Sequence, residues 1–391
     1  MPSPPGEGIF FAQVYNCHRL MNGYYFSSKK YRFLPKKECR LSEGKTLLSR
    51  LRMVSMKTWI IIGVVMALGL LSFSRKPADR FVVPAGWPKP AYNFKKNPLD
   101  PQKVEMGKRL FNETLLSRDN TISCNSCHAQ YTAFAHTDHS LSHGIEGKIG
   151  PRNSPALMNL AWSNSFMWDG SVTQLDLQAQ KPITNPLEMD ETMEHVVAKL
   201  KATSNYPDLF FRAFGDSLIT VDMIMQSLSQ FMLTLVSANA RYDRVMNGAD
   251  TFTKREANGY ALFKQDCAAC HKEPLFTNGQ FENNGLAVDE SLADGGRVKI
   301  THNAGDSLKF KVPTLRNIEV TYPYMHDGRF RNLQMVLFQY SEHVQQSSTL
   351  SVHLQKKLML TEQNKGDIIL FLKTLTDEEF LKNKKFEFVN N

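Results

Sequence analysis

Cysteine is scarce: the chain has six in 391 residues. Four of them fall in two Cys-x-x-Cys pairs, Cys124/Cys127 and Cys267/Cys270, and the other two, Cys17 and Cys39, lie in an N-terminal stretch set apart below. That leaves no cysteine in the body of the chain for a disulfide framework. Long apolar runs are also missing. The longest, Trp59 to Leu71, falls short of the roughly 20 residues that span a bilayer comfortably. Strand signals are few, which excludes a sandwich or barrel and points to a mainly α fold with long loops. Net positive charge is nearly absent from most of the chain as well. Residues 1–55 hold ten Lys or Arg against three Glu, seven of the nine net positive charges. The remainder is close to neutral, and no nucleic-acid or anionic-membrane partner follows from the basic pI.

What is present begins with a targeting pattern. Met56-Lys57, the apolar run and Ser72-Phe73-Ser74-Arg75 have the layout of a secretory signal, with an uncleaved N-terminal membrane anchor as second choice. Residues 1–55 show no apolar periodicity and read as a mis-assigned start or a leader, with Met56 the preferred start. The expectation is export to the periplasm, and a mature chain of about 310 residues divided into domains at 78–245 and 246–391.

Cys124-Asn-Ser-Cys127-His128 is the attachment signature of a c-type haem: two thiols for the thioethers and an adjacent imidazole for the iron. Cys267-Ala-Ala-Cys270-His271 repeats it. Two covalent haems explain both trailing histidines; a zinc ion shared between the two Cys pairs leaves them unexplained. Ahead of each motif lies a Gly-x-x-Leu-Phe segment, Gly107 to Phe111 and Gly259 to Phe263. The repeat thus reads as a helix, a haem turn and a loop that supplies the sixth ligand, the order of the small cytochrome c fold. Helices are expected over Pro101–Asn112, Thr192–Ala202 with Asp190 or Thr192 as cap, Thr220–Ala238, Lys254–Gln265 and Glu362–Leu375. Residues from Arg80 to Pro101 read as an extended strap. The fold class is mainly α, two cytochrome c-like haem domains with long loops packed around an inter-domain interface.

The loop after His128 carries His136, His139 and His143, any of which could reach the first iron. His136 and His139 read more simply as hydrogen-bonded loop histidines. His143 lies where a flexible loop feeds a rigid one, suiting a ligand that comes and goes.

Several motifs then make the resemblance specific. Arg152-Asn153-Ser154-Pro155, Phe166-Met167-Trp168-Asp169-Gly170, Gln178-Ala179, Pro182-Ile183 and Asn185-Pro186-Leu187-Glu188-Met189 resemble the bacterial di-haem cytochrome c peroxidase and MauG family. So do Phe310-Lys311-Val312-Pro313-Thr314-Leu315-Arg316-Asn317 and Pro323-Tyr324-Met325-His326-Asp327-Gly328. The likeness covers about residues 95 to 380. It implies that the first haem is the peroxidatic one, with His128 proximal and His143 as a removable distal ligand. Glu188 matches the carboxylate that takes and returns peroxide's proton, and Gln178 the amide beside it. Trp168 matches the residue between the haems, though it also reads as an aromatic packing the interface. Asn153 with the carbonyls of Thr321 and Pro323 matches an inter-domain calcium site.

The second haem departs from the peroxidase pattern. Peroxidases place a methionine about a dozen residues past the Asp-Gly turn, and here that position is Tyr340. A tyrosine ligand is similar to MauG, which matures the tryptophylquinone cofactor of methylamine dehydrogenase; Met325 and Met335 remain alternatives. The expected activity is reduction of hydrogen peroxide to water with electrons from a small cytochrome c or cupredoxin. A MauG-like oxidase acting on a protein or organic substrate is the alternative, and a non-catalytic di-haem electron carrier a third. Family members are often homodimers.

Overall fold

Helix α1, Pro101–Phe111, starts where Asp100 accepts hydrogen bonds from the Gln102 and Lys103 amides, with a proline in the first turn, and carries Lys108 and Arg109 in its last turn. The computed structural model describes residues 80–388. The leader, the signal segment, Cys17 and Cys39 lie outside the described residues. The next helices are α2 (Cys124–Cys127), α3 (Gln180–Thr184), α4 (Met193–Ala202), α5 (Tyr206–Phe214) and α6 (Val221–Thr234). They are followed by α7 (Arg241–Met246), α8 (Lys254–Asp266), α9 (Val298–Thr301), α10 (Leu333–Glu342), α11 (Glu362–Lys373) and α12 (Glu378–Leu381). The sole sheet among the described residues pairs β1 (Phe281–Glu282) with β2 (Phe310–Lys311), antiparallel, with Phe281 opposite Lys311. The fold is mainly α with long loops, as the sequence leads one to expect. Among these residues no helix is long and apolar enough to cross a membrane.

Two helix pairs organise the core, α1 against α6 and α8 against α11. The repeated glycines explain their closeness. A Cβ on Gly107 would lie 1.8 Å from the Ser227 carbonyl oxygen, and one on Gly259 would lie 1.9 Å from that of Asp367. Only a residue without a side chain allows backbones to approach so closely. Each pair then holds a phenylalanine trio. Phe111 and Phe231 have ring centroids 5.2 Å apart, with Phe134 6.0 Å from Phe111. In the second lobe Phe263 and Phe371 are 5.1 Å apart, with Phe276 5.6 Å from Phe263. All six are buried, each worth roughly 2 kcal/mol by burial.

The apolar core correspondingly divides into two clusters within one compact unit. Tyr242 of α7 belongs to the second cluster, so the boundary expected at 245/246 falls inside a helix whose packing begins earlier. The ends of the described segment cross over. Trp87 of the N-terminal strap stacks on the Arg316 guanidinium at 4.6 Å, while Phe380 and Phe386 pack on Phe134 of the first lobe at 5.8 and 6.0 Å. Arg316 itself is fully buried and held by both carboxylate oxygens of Asp243 at 2.8 and 2.7 Å.

Helix boundaries differ from expectation mainly at α6, which ends at Thr234 rather than Ala238. The reason is Asn159, whose Oδ1 accepts from the Ser237 amide and whose own amide bonds the Leu235 carbonyl. Those bonds draw the tail out of the helix. Thr192, not Asp190, caps α4, accepting from the His195 amide. Helices α5 and α10 are additional to those the apolar spacing singles out.

Candidate active site

The second attachment motif begins at the C-cap of α8, while the first forms the short helix α2 after the loop that follows α1, and the four thiols are free. The Nδ1 of His128 lies 2.7 Å from the Phe134 carbonyl oxygen. A carbonyl only accepts, so Nδ1 carries the proton and Nε2 keeps its lone pair for a metal. His271 repeats the arrangement, with Nδ1 3.2 Å from the carbonyls of Phe276 and Pro313. Burial pushes both imidazoles down to a pKa of about 4, which keeps them neutral, as ligation requires. Phe134 and Phe276 supply those carbonyls from left-handed backbone, φ 59° and 54°.

One cavity of about 970 Å³ reaches both motifs: His128, Gln178 and Glu188 line it, the last close to Cys127, and so do Cys267, Cys270 and His271. Its volume is at the upper end of the roughly 300–1,000 Å³ typical of cofactor sites. Free thiol pairs, neutral imidazoles with Nε2 available and a cavity that joins them fit two haems c. The donors for a shared zinc do not converge: among the described residues the only cluster of at least three metal-capable side chains is His136, His139 and His143.

Two matching turns build the middle of the cavity. Residues 166–172 and 324–330 each close through an antiparallel bridge, Phe166 to Val172 and Tyr324 to Phe330. Each reaches into the other lobe. The Trp168 carbonyl accepts from the Lys311 amide at 2.7 Å, and the His326 carbonyl from the Asn153 amide at 2.7 Å. Trp168 donates through Nε1 to the Asn153 carbonyl at 2.8 Å, which fixes its ring in the cavity wall. Arg152 clamps the junction, bonding Asp294 through Nε at 2.6 Å and Nη2 at 3.0 Å, and Asp169 through Nη1 at 2.6 Å. Asn153, Thr321 and Pro323 all line the cavity near this junction, and the Asn153 amide nitrogen is engaged by the Ser140 carbonyl.

Glu188 is held by Asn185, whose Nδ2 donates to Oε1 at 2.7 Å. Burial raises its pKa above the usual carboxylate range, and the Asn185 bond works against that rise. Its backbone is pinned too, because the Ile145 amide bonds the Glu188 carbonyl at 2.8 Å. Gln178 points its amide at the Met167 sulfur, 3.8 Å away.

His143 is placed differently from the expectation of a distal ligand. It does not line the cavity, whereas its neighbour Ser142 does. His143 is bridged to Ile149, and adjacent residues of an extended segment face opposite ways. Its ring lies instead 4.0 Å from that of His139. At the second end, Tyr340 of α10 lines the cavity. Burial pushes its phenol up to about 12, against the pull of an Asn284 hydrogen bond, with the Cys267 and Cys270 thiols nearby. The Asn284 amide also reaches the Met325 sulfur at 3.4 Å, so Tyr340 and Met325 are neighbours at this end. Met335 is 42% exposed and does not line the cavity.

Lys311 was not singled out by the sequence. It lines the cavity, donates to Ser163 Oγ at 3.3 Å and to the Ser165 carbonyl, and burial lowers its pKa to about 8. No carboxylate pairs with it among the described residues. A buried cation in this wall suits an acidic group of a cofactor, such as a propionate; its place within the Phe310–Asn317 motif was the only signal.

Comparison with known proteins agrees with this geometry. The model of the di-haem cytochrome c peroxidase family matches residues 101–251. The methylamine utilization protein MauG of Methylorubrum extorquens is 37% identical over 311 residues, 76% of this chain and 84% of that protein. The chain belongs to the di-haem cytochrome c peroxidase family. The cytochrome c551 peroxidase of Nitrosomonas europaea is 33% identical over 287 residues, 72% of this chain and 82% of that protein. Among solved structures, a MauG-like protein associated with microbial copper homeostasis superposes with a TM-score of 0.72 at 30% identity, covering 79% of this chain and 99% of its own. As a member of the di-haem cytochrome c peroxidase family, the protein is an oxidoreductase, and its two attachment motifs are those of two c-type haems.

Proposed function

We propose that the protein is a periplasmic peroxidase that reduces hydrogen peroxide to water with electrons from a small cytochrome c or cupredoxin. The observation that carries this reading is that Glu188, raised in pKa by burial and near enough to Cys127 for its charge to act on that thiol, lines with Gln178 and His128 the same cavity. When bound, the haems supply the redox chemistry: two electrons and two protons convert one peroxide into two waters. Asn185 occupies Glu188 Oε1, which leaves Oε2 to take the proton of incoming peroxide and return it to the departing oxygen. The Gln178 amide orients the peroxide. Trp168, fixed by Asn153, is the aromatic link between the two ends. Asn153 Oδ1 and the carbonyls of Thr321 and Pro323 offer the oxygen ligands that calcium prefers. Export rests on the signal-like layout of residues 56–77.

The test is a steady-state assay with peroxide and reduced cytochrome c. Pre-reduced enzyme that fails to turn over overturns the proposal.

The placement of Tyr340 beside Cys267 and Cys270 favours a second reading. A phenolate that Tyr340 supplied to a haem held by His271 would stabilise ferric iron and lower its potential, which would suit a MauG-like oxidase of a protein or organic substrate. Peroxide-dependent oxidation of an aromatic substrate exceeding that of cytochrome c would select this reading.

A further inference from the structure

The loop between the first attachment motif and Arg152 gathers three imidazoles outside the cavity. His136 Nε2 lies 3.3 Å from His139 Nδ1. The His139 and His143 rings are 4.0 Å apart. One ligand-capable nitrogen from each of the three lies within 4.8 Å of the others. The second ring nitrogen of His143 is disposed as in a metal site. His143 Nδ1 lies 3.1 Å from the Leu141 carbonyl oxygen, and the Ser126 backbone lies beside His136. Backbone carbonyls that hold Nδ1–H fix the tautomer and turn the Nε2 lone pair outward, the arrangement that orients metal-bound histidines.

We propose that His136, His139 and His143 form a binding site for a borderline divalent transition cation, copper(II) or zinc(II), separate from both haem sites. Three neutral nitrogen donors with no thiolate select this class over calcium or magnesium, which take oxygen ligands. A tetrahedral centre with metal–nitrogen distances of about 2.0–2.1 Å places its nitrogens about 3.4 Å apart. The His136–His139 pair already has that spacing, and His143 closes on it by a small movement of the loop. Burial is graded across the site: His136 is buried, His143 half-buried and His139 exposed. The cation therefore approaches from solvent past His139, and a water completes the fourth position. The site ties the Leu141–Gly144 segment to the turn at Ser126, one residue from Cys127, whose thiol faces the His143 carbonyl at 3.6 Å.

The experiment titrates copper(II) and, separately, zinc(II) into the chelator-stripped full-length di-haem protein in calcium-containing buffer. Bound metal is counted after gel filtration, and the copper(II) EPR spectrum is recorded. One equivalent per chain and hyperfine structure from imidazole nitrogens are expected. His139→Ala removes an exposed side chain and should weaken binding at least ten-fold with the haem absorption unchanged; His136→Asn should do the same. The proposal is overturned if the wild-type chain retains no equivalent, if His139→Ala binds as tightly as wild type, or if the copper signal lacks nitrogen coupling.

Discussion

Glu188 and Asn185 together set the proton chemistry at the first end of the cavity. Burial raises the Glu188 pKa and the Asn185 hydrogen bond lowers it. The carboxylate must be ionised to accept peroxide's first proton, so activity falls as pH drops through its pKa. Asn185→Ala removes the lowering influence, and the acid limb of the kcat/KM profile should move to higher pH; a limb unchanged or moved lower would detach Asn185 from the mechanism. Glu188→Gln should reduce kcat/KM by about 100-fold or more while the haem spectrum persists. At the other end, Tyr340→Phe should change the ferric absorption and EPR spectra of one haem only, and an unchanged spectrum would turn attention to Met325. The residues legible in the sequence were those whose chemistry needs neighbours in the chain: a thioether pair and its histidine must be contiguous. His143 was not legible in this way. Which face it presents is decided by closure of its loop, through Ser142 to the Arg152 carbonyl and Gly144 to that of Lys148, contacts that no local pattern encodes. Lys311 was hidden for a similar reason, since only tertiary packing buries it.

The helix pair is the element that fixes each haem turn, and its geometry hangs on the absent side chain. Gly259→Ala would set a methyl 1.9 Å from the Asp367 carbonyl oxygen and 2.5 Å from its carbon. Backbone cannot yield as a flexible side chain would, so α8 and α11 must separate. The expected cost is about 3 kcal/mol, the upper part of the overpacking range. For a chain of this size that lowers Tm by about 4–5 °C, measured by scanning calorimetry on the haem-loaded protein. An alanine variant within 1 °C of wild type would show that the close approach is not required. The sequence marked these helices because Gly-x-x-Leu-Phe occurs twice in the same relation to a haem motif. It did not mark α5, Tyr206–Phe214, an aromatic segment closed by Gly215 in left-handed conformation. Nor did it mark α10, where Tyr340 stands out by its distance from the Asp-Gly turn rather than by helical periodicity.

At the largest scale the two lobes of residues 80–388 are joined by reciprocal contacts: the Trp168 turn reaches the second lobe, the His326 turn reaches the first, and Arg152 joins them. Asp294 is 3% exposed in its side chain where it meets Arg152. Burial alone would raise its pKa, but the hydrogen bonds and charge of Arg152 overcome that and hold it at about 2. An aspartate in the unfolded chain has a pKa of about 3.9. A depressed folded pKa contributes stability that is complete above the unfolded value and is lost as pH falls toward the folded one. The wild-type protein should therefore lose stability between roughly pH 5 and pH 2, read as a falling denaturant midpoint. Asp294→Asn should be destabilised at pH 7 by about 3 kcal/mol, because a guanidinium desolvated for two carboxylates keeps only Asp169. Its midpoint should fall less steeply with acid than that of the wild type. Because the pair spans the lobes, the loss should also appear as slower electron transfer between the two haems in pulse-reduction kinetics. A variant matching the wild type in both acid sensitivity and transfer rate would show that the lobes are held by their turns alone.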